Sequence, residues 1–506
     1  MMVTKHRGFD NQRVPDQGDG TFLNPIFAGD HPDPTILRDG DDYFLTFSTF
    51  EVYPGLIIWH SQDLINWKPI GPALHRPLGS VFAVDLIKVE SRFYIYIPVA
   101  PTAEGEYVGN LVDTFVIWTD DIFSGKWSEP IQLHIPGPID PGHAIGEDGR
   151  RYLFMSAAKR VRLSLDGLAT DGELEVAYTP WHYPDDWIVE GFSLEGPKFL
   201  KRGDFFYLIS AVGGTAGPAT GHMVTVSRSR SIHGPWEHHP ENPIVRTWDK
   251  AEAWWSRGHA TIFEGPNANW WIIYHGYENG FRSLGRQTLL EPIAWDADGW
   301  PHALGGDLSK PIAKPIPDSI GEHGVPYSDN FSKPRFGAPW AFYKPGKNEI
   351  ARAKFGEHLN LAAKGDNLVS SSPLCCITGD RSYEVEVDFE LIGGARGGLV
   401  LFFDRRLFVG MEVGGAKMLT HRVGEVSHYV EPAPISNIYS MKIVNTDHIV
   451  ELYYKTPDTE WTRHGLRFDT SGYDANTASE LASLRPALFA IGTGEVHYRN
   501  FRYMAK

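Results

Sequence analysis

The feature that most constrains this chain is a unit that recurs five times between residues 31 and 277. Each unit begins with a polar residue beside a short apolar strand, passes a polar turn, and continues into a strand rich in aromatic residues. The units occupy residues 31–50, 82–99, 139–157, 195–212 and 258–277. Repeats of this length that contain several strands are typical of β-propellers, in which each repeat forms one blade. Alternating polarity and turn sequences such as RDGD favour strands over helices. The repeat therefore predicts an all-β chain that begins with a five-bladed β-propeller.

Aligning the units on their first strands places one polar residue of each unit in a common register. These residues are Asp33, Asp85, Asp140, Glu195 and His259. The innermost strands of propeller blades line a central channel, so equivalent positions on them converge. Taken singly, each of these acids could be a residue that starts a strand or forms a turn, and Asp beside Pro, as at Asp33 and Asp140, is a common turn former. Glu195 is not a favoured turn residue. Four acids in one register favour a functional explanation, because like charges that converge in a channel cost stability.

The length and the change of pattern after the repeats indicate a second domain. A chain of 506 residues is too long for one hydrophobic core. The segment 310–326 is rich in Pro and Gly and predicts a linker along the surface, so we place the domains at residues 1–320 and 321–506. In YEVEVDFEL, residues 383–391, apolar and acidic side chains alternate, which is typical of half-buried antiparallel sheet. We expect a β-sandwich there, of the jelly-roll or concanavalin-like kind.

Composition and charge limit the partners of the chain. The net charge is −16, and no long run of Lys or Arg is present, so nucleic acid and anionic membranes are poor partners. No stretch of eighteen apolar residues occurs, and residues 1–11 lack an apolar core, so we expect a cytoplasmic location. The only cysteines, Cys375 and Cys376, are adjacent, which argues against an ordinary disulfide or a zinc site. The oligomeric state stays open, with a homo-oligomer among the options.

Four segments of the sequence resemble those of glycoside hydrolase family 43, the inverting β-xylosidases and α-L-arabinofuranosidases. They are residues 31–55, 139–154, 194–210 and 285–292. Many members of this family also carry a C-terminal β-sandwich. The resemblance implies that Asp33 is the general base that activates water and that Glu195 is the general acid. It also implies that Asp140 raises the pKa of the acid and orients it. Such a division of two carboxyl groups is what inverting hydrolysis of a glycosidic bond requires.

The same resemblance implies further contacts to substrate and metal. Arg286 matches an arginine that hydrogen-bonds sugar hydroxyls, and Phe50 matches an aromatic wall of the sugar pocket. Phe82 stands where related members have Trp, which leaves the shape of that wall open. His259 matches a channel histidine that in some members holds a calcium ion through waters, although a lone histidine is more often a hydrogen-bonded core residue. Asp85 has no catalytic counterpart, so we interpret it as structural or as a distant substrate contact.

The leading hypothesis is an exo-acting inverting hydrolase that releases terminal β-D-xylosyl or α-L-arabinofuranosyl units from short xylan-derived oligosaccharides. Aromatic residues, 13% of the chain, suit either sugar stacking or an all-β core. One alternative is a retaining fructoside hydrolase, another five-bladed class, whose usual NDPNG string is absent. The other is a non-catalytic carbohydrate-binding propeller whose acids hold ions. For the sandwich, structural support or donation of a loop to the site is favoured over independent polysaccharide binding.

Overall fold

Five antiparallel sheets, one for each repeat, form the N-terminal part of the protein. The computed structural model describes residues 6–416, 418–424, 426–427, 432–478 and 480–506. Four successive strands build each sheet. In blade 1 they are Thr35–Asp39, Asp42–Thr46, Gly55–Ser61 and Lys68–Leu74; in blade 2, Asp85–Val89, Arg92–Ala100, Asp113–Thr119 and Ile131–Gln132; in blade 3, Gly142–Ile145, Arg151–Met155, Lys159–Leu163 and Glu175–Val176; in blade 4, Glu195–Arg202, Phe205–Val212, Met223–Ser229 and Glu237–His238; and in blade 5, Trp254–Glu264, Trp270–Glu278, Arg286–Trp295 and Pro301–Ala303. Blades 2 and 4 each add a two-residue strand, Ser80–Val81 and Val245–Arg246.

The five sheets close into a ring. The first strands of successive blades contact one another, and the first strand of blade 5 contacts that of blade 1. Tight turns join the first two strands of several blades: Asp39 pairs with Asp42 across Gly40, whose φ of 65° is easily adopted by glycine. Strand Thr21–Phe22 pairs with Ile312–Ala313, which fastens the start of the propeller to its end. The predicted five-bladed propeller is confirmed.

A two-layer sandwich forms the C-terminal part. One sheet has eight strands, in the order Val426–Ser427, Leu419–Val423, Leu407–Val413, Ala395–Phe402, Arg485–Gly492, Leu374–Cys376, Trp340–Tyr343 and Val52–Tyr53. The other has seven, in the order Ala353–Lys354, Leu359–Ala362, Glu495–Ala505, Tyr383–Ile392, Ile438–Thr446, Ile449–Lys455 and Thr462–Asp469. In strand Tyr383–Ile392 every second residue is buried, as the alternation predicts. The predicted β-sandwich is therefore confirmed.

Helical structure in the described residues is limited to short 3₁₀ turns. These are Phe9–Asn11, Ile122–Ser124, Pro266–Ala268, Arg282–Leu284, Glu349–Arg352 and Val369–Ser371. None of the described helices has the length and apolar character needed to cross a membrane. Cys375 and Cys376 are buried free thiols.

The two domains are joined by more than the connecting segment. The predicted boundary near residue 320 falls between strands Ile312–Ala313 and Trp340–Tyr343. The segment 310–326 is only in part the predicted surface linker, because Lys314 is buried and its Nζ lies 3.1 Å from the Oδ2 of Asp16. Propeller strand Val52–Tyr53 extends a sheet of the sandwich by pairing with Phe342 and Tyr343. The sandwich also packs directly on the loop before Asp33, since a Cβ added at Gly29 would lie 2.6 Å from the carbonyl oxygen of Thr378.

Candidate active site

The predicted register is visible in the backbone as well as in the side chains. Asp33, Asp140 and His259 have φ angles of 54°, 57° and 59°, and Gly196, which follows Glu195, has 60°. Non-glycine residues in this left-handed region are uncommon and cluster at functional sites. Four blades therefore place the same backbone feature at their inner ends. Asp85, in the remaining blade, lacks it and simply begins a regular strand.

Asp33 is a buried carboxylate in contact with a guanidinium group, a hydroxyl group and two imidazole rings. The Nη1 of Arg286 donates to its Oδ1 at 2.8 Å, and the hydroxyl of Ser48 donates to its Oδ2 at 2.5 Å. The Nδ1 atoms of His275 and His259 lie 3.1 and 3.5 Å from the Oδ1. Burial opposes ionisation, but Arg286 and the two histidines outweigh it and hold the pKa of Asp33 well below its ordinary value. Asp33 is therefore ionised at any neutral or mildly acidic pH.

Glu195 faces the same channel as Asp33, but its pKa is shifted in the opposite direction. Its side chain is 20% exposed, and the Nε2 of His222 lies 3.1 Å from its Oε1. Burial raises the pKa of Glu195, and the negative charge of Asp33 raises it further, to about 8. Glu195 is therefore protonated at neutral pH. Two carboxyl groups held in opposite protonation states are the arrangement that acid–base hydrolysis uses.

Asp140 lies against the backbone of the acid residue. The N–H of Gly196 donates to its Oδ2 at 3.2 Å. Burial and the neighbouring charges of Glu195 and Asp33 raise the pKa of Asp140 well above its ordinary value. The structure thus brings the three predicted carboxyl groups together. The role predicted for Asp140 as the modulator of Glu195 stays a prediction. The causes that raise the pKa of Glu195 are burial and the negative charges of Asp33 and Glu190.

Histidines connect the acid side of the site to the base side. The Nδ1 of His222 lies 3.2 Å from the Nε2 of His275, whose other ring nitrogen lies beside Asp33. Burial is the main cause that lowers the pKa of His222 to about 4 and that of His275 to about 3. Both rings are therefore neutral and can each donate one hydrogen bond and accept another.

The residues predicted to contact substrate lie beside the base. The ring of Phe50 lies 5.2 Å from the guanidinium carbon of Arg286 and packs edge-to-face on Phe82 with ring centres 5.6 Å apart. The Nη2 of Arg286 is buried and has no hydrogen-bond partner among the described residues. A buried donor without a partner is costly, so this nitrogen is suited to receive a substrate oxygen.

Asp85 belongs to a buried ion pair. The Nζ of Lys198 donates to its Oδ1 at 2.7 Å and to the carbonyl oxygen of Val84 at 2.8 Å, and the N–H of His143 donates to its Oδ2 at 2.7 Å. Both charged side chains are at least nine-tenths buried. Asp85 is thus neutralised and fixed by its neighbours, which fits the structural role considered for it.

His259 offers only a partial fit to the predicted calcium ion. Its Nε2 is buried and has no partner among the described residues, and Gly196 packs on the ring, where an added Cβ would lie 3.0 Å from Nε2. No group of three metal-binding side chains occurs in the parts of the chain that the structure describes. Calcium prefers six to eight oxygen ligands. An ion at His259 would therefore be held mainly by water, and the calcium site stays a prediction.

Four site residues were not predicted from the sequence: Ser48, Lys198, His222 and His275. A lysine within the apolar stretch EGPKFL was a usable signal, since a charge inside a buried strand needs a partner. Ser48 lies two residues before Phe50 in a segment already assigned to the site. For the two histidines no local signal was available, because their role depends on contacts between blades.

The fold and the site together define the glycoside hydrolase class, with an ionised and a protonated carboxyl group facing one channel. A family model described as glycosyl hydrolases family 43 matches residues 22–301, more than half of the chain. The chain belongs to this family. The fructoside hydrolase alternative is correspondingly not favoured.

Relatives of this chain carry two kinds of name, xylosidase and arabinofuranosidase. The chain is 34% identical over 319 residues to a xylan 1,3-beta-xylosidase of Vibrio sp., covering 56% of this chain and 58% of that protein. It is 32% identical over 348 residues to a non-reducing end alpha-L-arabinofuranosidase of Bacteroides ovatus, covering 64% and 61%. A beta-xylosidase of Bacillus subtilis is 32% identical over 345 residues, covering 61% and 62%. The matched region thus spans about three fifths of the length of these relatives.

Solved structures extend the likeness in fold to nearly the whole chain. A xylan beta-1,4-xylosidase of Bacillus halodurans superposes with a TM-score of 0.83 at 23% identity, covering 95% of this chain and 99% of that one. A family 43 protein of Bacillus licheniformis gives 0.82 at 23% identity, covering 96% and 100%. At such identity the likeness concerns the fold, which includes the sandwich.

Proposed function

We propose that the protein is an exo-acting, inverting glycoside hydrolase that releases terminal β-D-xylosyl or α-L-arabinofuranosyl units from xylan-derived oligosaccharides. The observation that carries the proposal is the pair of opposite protonation states in one channel, with Asp33 ionised and Glu195 protonated. The names of the relatives support pentosyl substrates, and the Bacteroides ovatus name supports action at the non-reducing end. The cytoplasmic location stays a prediction.

In the proposed reaction, water attacks the anomeric carbon and the bond to the leaving oxygen breaks. The carboxylate of Asp33 accepts a proton from the attacking water, and the carboxyl group of Glu195 donates its proton to the leaving oxygen. Arg286 holds Asp33 with one terminal nitrogen, and the other, which has no partner among the described residues, is available to a sugar hydroxyl. Because water attacks from the face opposite the leaving group, the sugar is released with inverted configuration.

A panel of nitrophenyl pentosides tests the activity, and two matched variants test the site. Asp33→Asn removes the base and should lower kcat by about 10²- to 10⁴-fold, the usual contribution of a positioned base. Asp85→Asn makes the same change at another position of the register. Because it leaves the buried Lys198 without its ion pair, activity is compared per folded protein, which should retain the chemistry. Wild-type protein that cleaves no pentoside, or equal losses in both variants, would contradict the proposal.

The same panel tests the ion at His259 when it is run with a chelator and with added calcium. No step of the proposed reaction passes through an ion. If one is bound, it would add positive charge near Asp33, so removal should change the pH dependence more than the products. Unchanged kinetics, together with no bound calcium by elemental analysis, would remove the calcium prediction and leave the reaction intact.

A further inference from the structure

A glycine-rich loop of blade 4, residues 213–221, contacts neighbours of both catalytic groups. It joins the second and third strands of the blade. The hydroxyl of Thr215 lies 3.0 Å from the Nε2 of His275, a ring on the base side. A backbone N–H of the loop donates to the Oε2 of Glu190 at 2.8 Å, and the charge of Glu190 helps to raise the pKa of Glu195. The loop therefore lies between the base side and the acid side of the site.

This loop needs contacts from outside to keep one conformation. Gly213 and Gly217 have φ angles of 97° and 74°, and glycine reaches many backbone conformations at little cost. Ordering such a segment is costly in entropy, so hydrogen bonds from its neighbours determine where it lies. The propeller supplies such bonds near the ends, where the N–H of Gly213 donates to the carbonyl oxygen of Phe192 at 3.0 Å and the N–H of Ser256 donates to that of Ala219 at 2.7 Å.

The sandwich holds the middle of the loop through one asparagine. The N–H of Gly217 donates to the Oδ1 of Asn476 at 2.8 Å, and the Nδ2 of Asn476 donates back to the carbonyl oxygen of Gly217 at 3.1 Å. The same carbonyl oxygen accepts from the Nη2 of Arg282, in blade 5, at 2.7 Å. Asn476 is itself held, because its N–H donates to the Oδ1 of the buried Asp474 at 2.9 Å. Two blades and the sandwich therefore meet at Gly217.

His275 connects the loop to the base. The N–H of Asp33 donates to the Nδ1 of His275 at 3.1 Å, so the hydrogen of this neutral ring is on Nε2. That nitrogen can donate to the hydroxyl oxygen of Thr215 at 3.0 Å or to the Nδ1 of His222 at 3.2 Å. Asp33 has a left-handed φ of 54°, a conformation that its surroundings must maintain. Thr215 thus helps to fix the ring that supports the backbone of the base.

We propose that Asn476 is a positioning residue for the catalytic base: by holding Gly217, it keeps Thr215 on His275 and keeps His275 on the backbone of Asp33. This role rests on the proposed function, in which Asp33 activates water. The sandwich thereby contributes to catalysis through a chain of three contacts.

Steady-state kinetics of Asn476→Ala test this role on two substrates, a pentosyl disaccharide such as xylobiose and the 4-nitrophenyl glycoside of the same sugar. The variant leaves the N–H of Gly217 without its partner, and one lost hydrogen bond corresponds to a factor of about 5 to 10. The value of kcat should fall by that factor on both substrates, because both need the base, and KM should change by less than about 2-fold. Unchanged kcat on both substrates, or a loss confined to KM, would overturn the proposal.

Asn11→Gly is the matched control. The Nδ2 of Asn11 also donates to a carbonyl oxygen of the other domain, that of Ala505, at 2.8 Å. Glycine accepts the left-handed φ of 60° at this position, so the variant removes an interdomain hydrogen bond that does not involve the loop. Both substrates should behave as with the wild type. Equal losses in Asn11→Gly and Asn476→Ala would show a general effect of domain packing and would overturn the proposal.

A double-mutant cycle tests the route from Asn476 to the base. Thr215→Val removes the hydroxyl group, so adding Asn476→Ala to it should lower kcat by no more than about 2-fold further. Asn476→Asp keeps the acceptor for the N–H of Gly217 and should recover most of kcat. Losses that multiply in the double variant, or an Asn476→Asp protein as impaired as Asn476→Ala, would contradict the proposed route.

Hydrogen exchange separates this proposal from the proposed function, because it does not depend on catalysis. Amides of residues 213–221 should exchange about 5- to 10-fold faster in Asn476→Ala than in the wild type or in Asn11→Gly. Such a change, together with no pentoside hydrolysis by the wild type, would sink the proposed function alone. Hydrolysis by the wild type, with unchanged exchange and unchanged kcat in Asn476→Ala, would sink the positioning role alone.

Discussion

The pH dependence of the acid step can be worked out from the environment of Glu195. At pH 6 a carboxyl group with a pKa of about 8 is ~99% protonated, whereas one at the ordinary value of 4.5 is about 3% protonated. Burial and the charge of Asp33 therefore increase the reactive fraction at pH 6 by about 30-fold. We expect the alkaline limb of kcat/KM for a disaccharide to have its midpoint near the pKa of Glu195, about 8.

Glu195→Gln should remove that limb and lower kcat/KM for the disaccharide by about 10²- to 10⁴-fold. The loss should be much smaller for nitrophenyl glycosides, whose leaving group needs no proton. Glu190→Gln is the control: its charge also raises the pKa of Glu195, so this variant should shift the limb to lower pH and keep the acid step. An alkaline limb near pH 5, or one that persists in Glu195→Gln, would refute the reasoning.

Three further predictions concern stability and backbone geometry. Lys198→Met should lower the free energy of unfolding, measured by chemical denaturation, by about 3–5 kcal/mol, because it leaves the buried charge of Asp85 without a partner. The double variant with Asp85→Leu should recover most of that loss. Burial raises the pKa of Glu278, but the ion pairs with Arg13 and Arg381 outweigh it and lower the pKa from 4.5 to about 2. The ionised form therefore adds stability that is present above pH 4.5 and is lost as the pH falls through 2. Glu278→Gln should flatten this part of the plot of unfolding free energy against pH. Gly196→Ala should lower the stability by about 1–2 kcal/mol, because residue 196 has a left-handed φ, and should lower kcat, because the added Cβ crowds His259. Thermal unfolding and steady-state kinetics measure the two effects, and a variant with wild-type stability and wild-type kcat would contradict both.

The propeller and the register of its first strands were predictable because the same sequence pattern occurs in every blade. Five copies of one pattern identify the blades, and equivalent positions in a closed ring must converge, so Asp33, Asp140 and Glu195 could be grouped without any contact being known. It was harder to predict that Asp85, which shares the register, differs in role from the three catalytic carboxyl groups. The difference depends on Lys198, which comes from another blade and neutralises that one acid.

The parts of the site that escaped prediction depend on contacts between elements far apart in sequence. His222 and His275 lie outside the first strands of their blades, so the register did not identify them. The pairing of propeller strand Val52–Tyr53 with the sandwich likewise joins elements far apart in sequence. No periodicity in the sequence encodes how two domains pack, since that depends on the complementarity of their surfaces.

The stereochemistry of the first-formed sugar tests the central claim most directly. In the proposed reaction Asp33 activates water and forms no covalent bond to the sugar. Proton NMR of a β-D-xyloside digest, recorded before mutarotation, should therefore show α-xylose first, or β-arabinose from an α-L-arabinofuranoside. Initial release of the retained anomer would require a covalent intermediate and would contradict the roles assigned to Asp33 and Glu195.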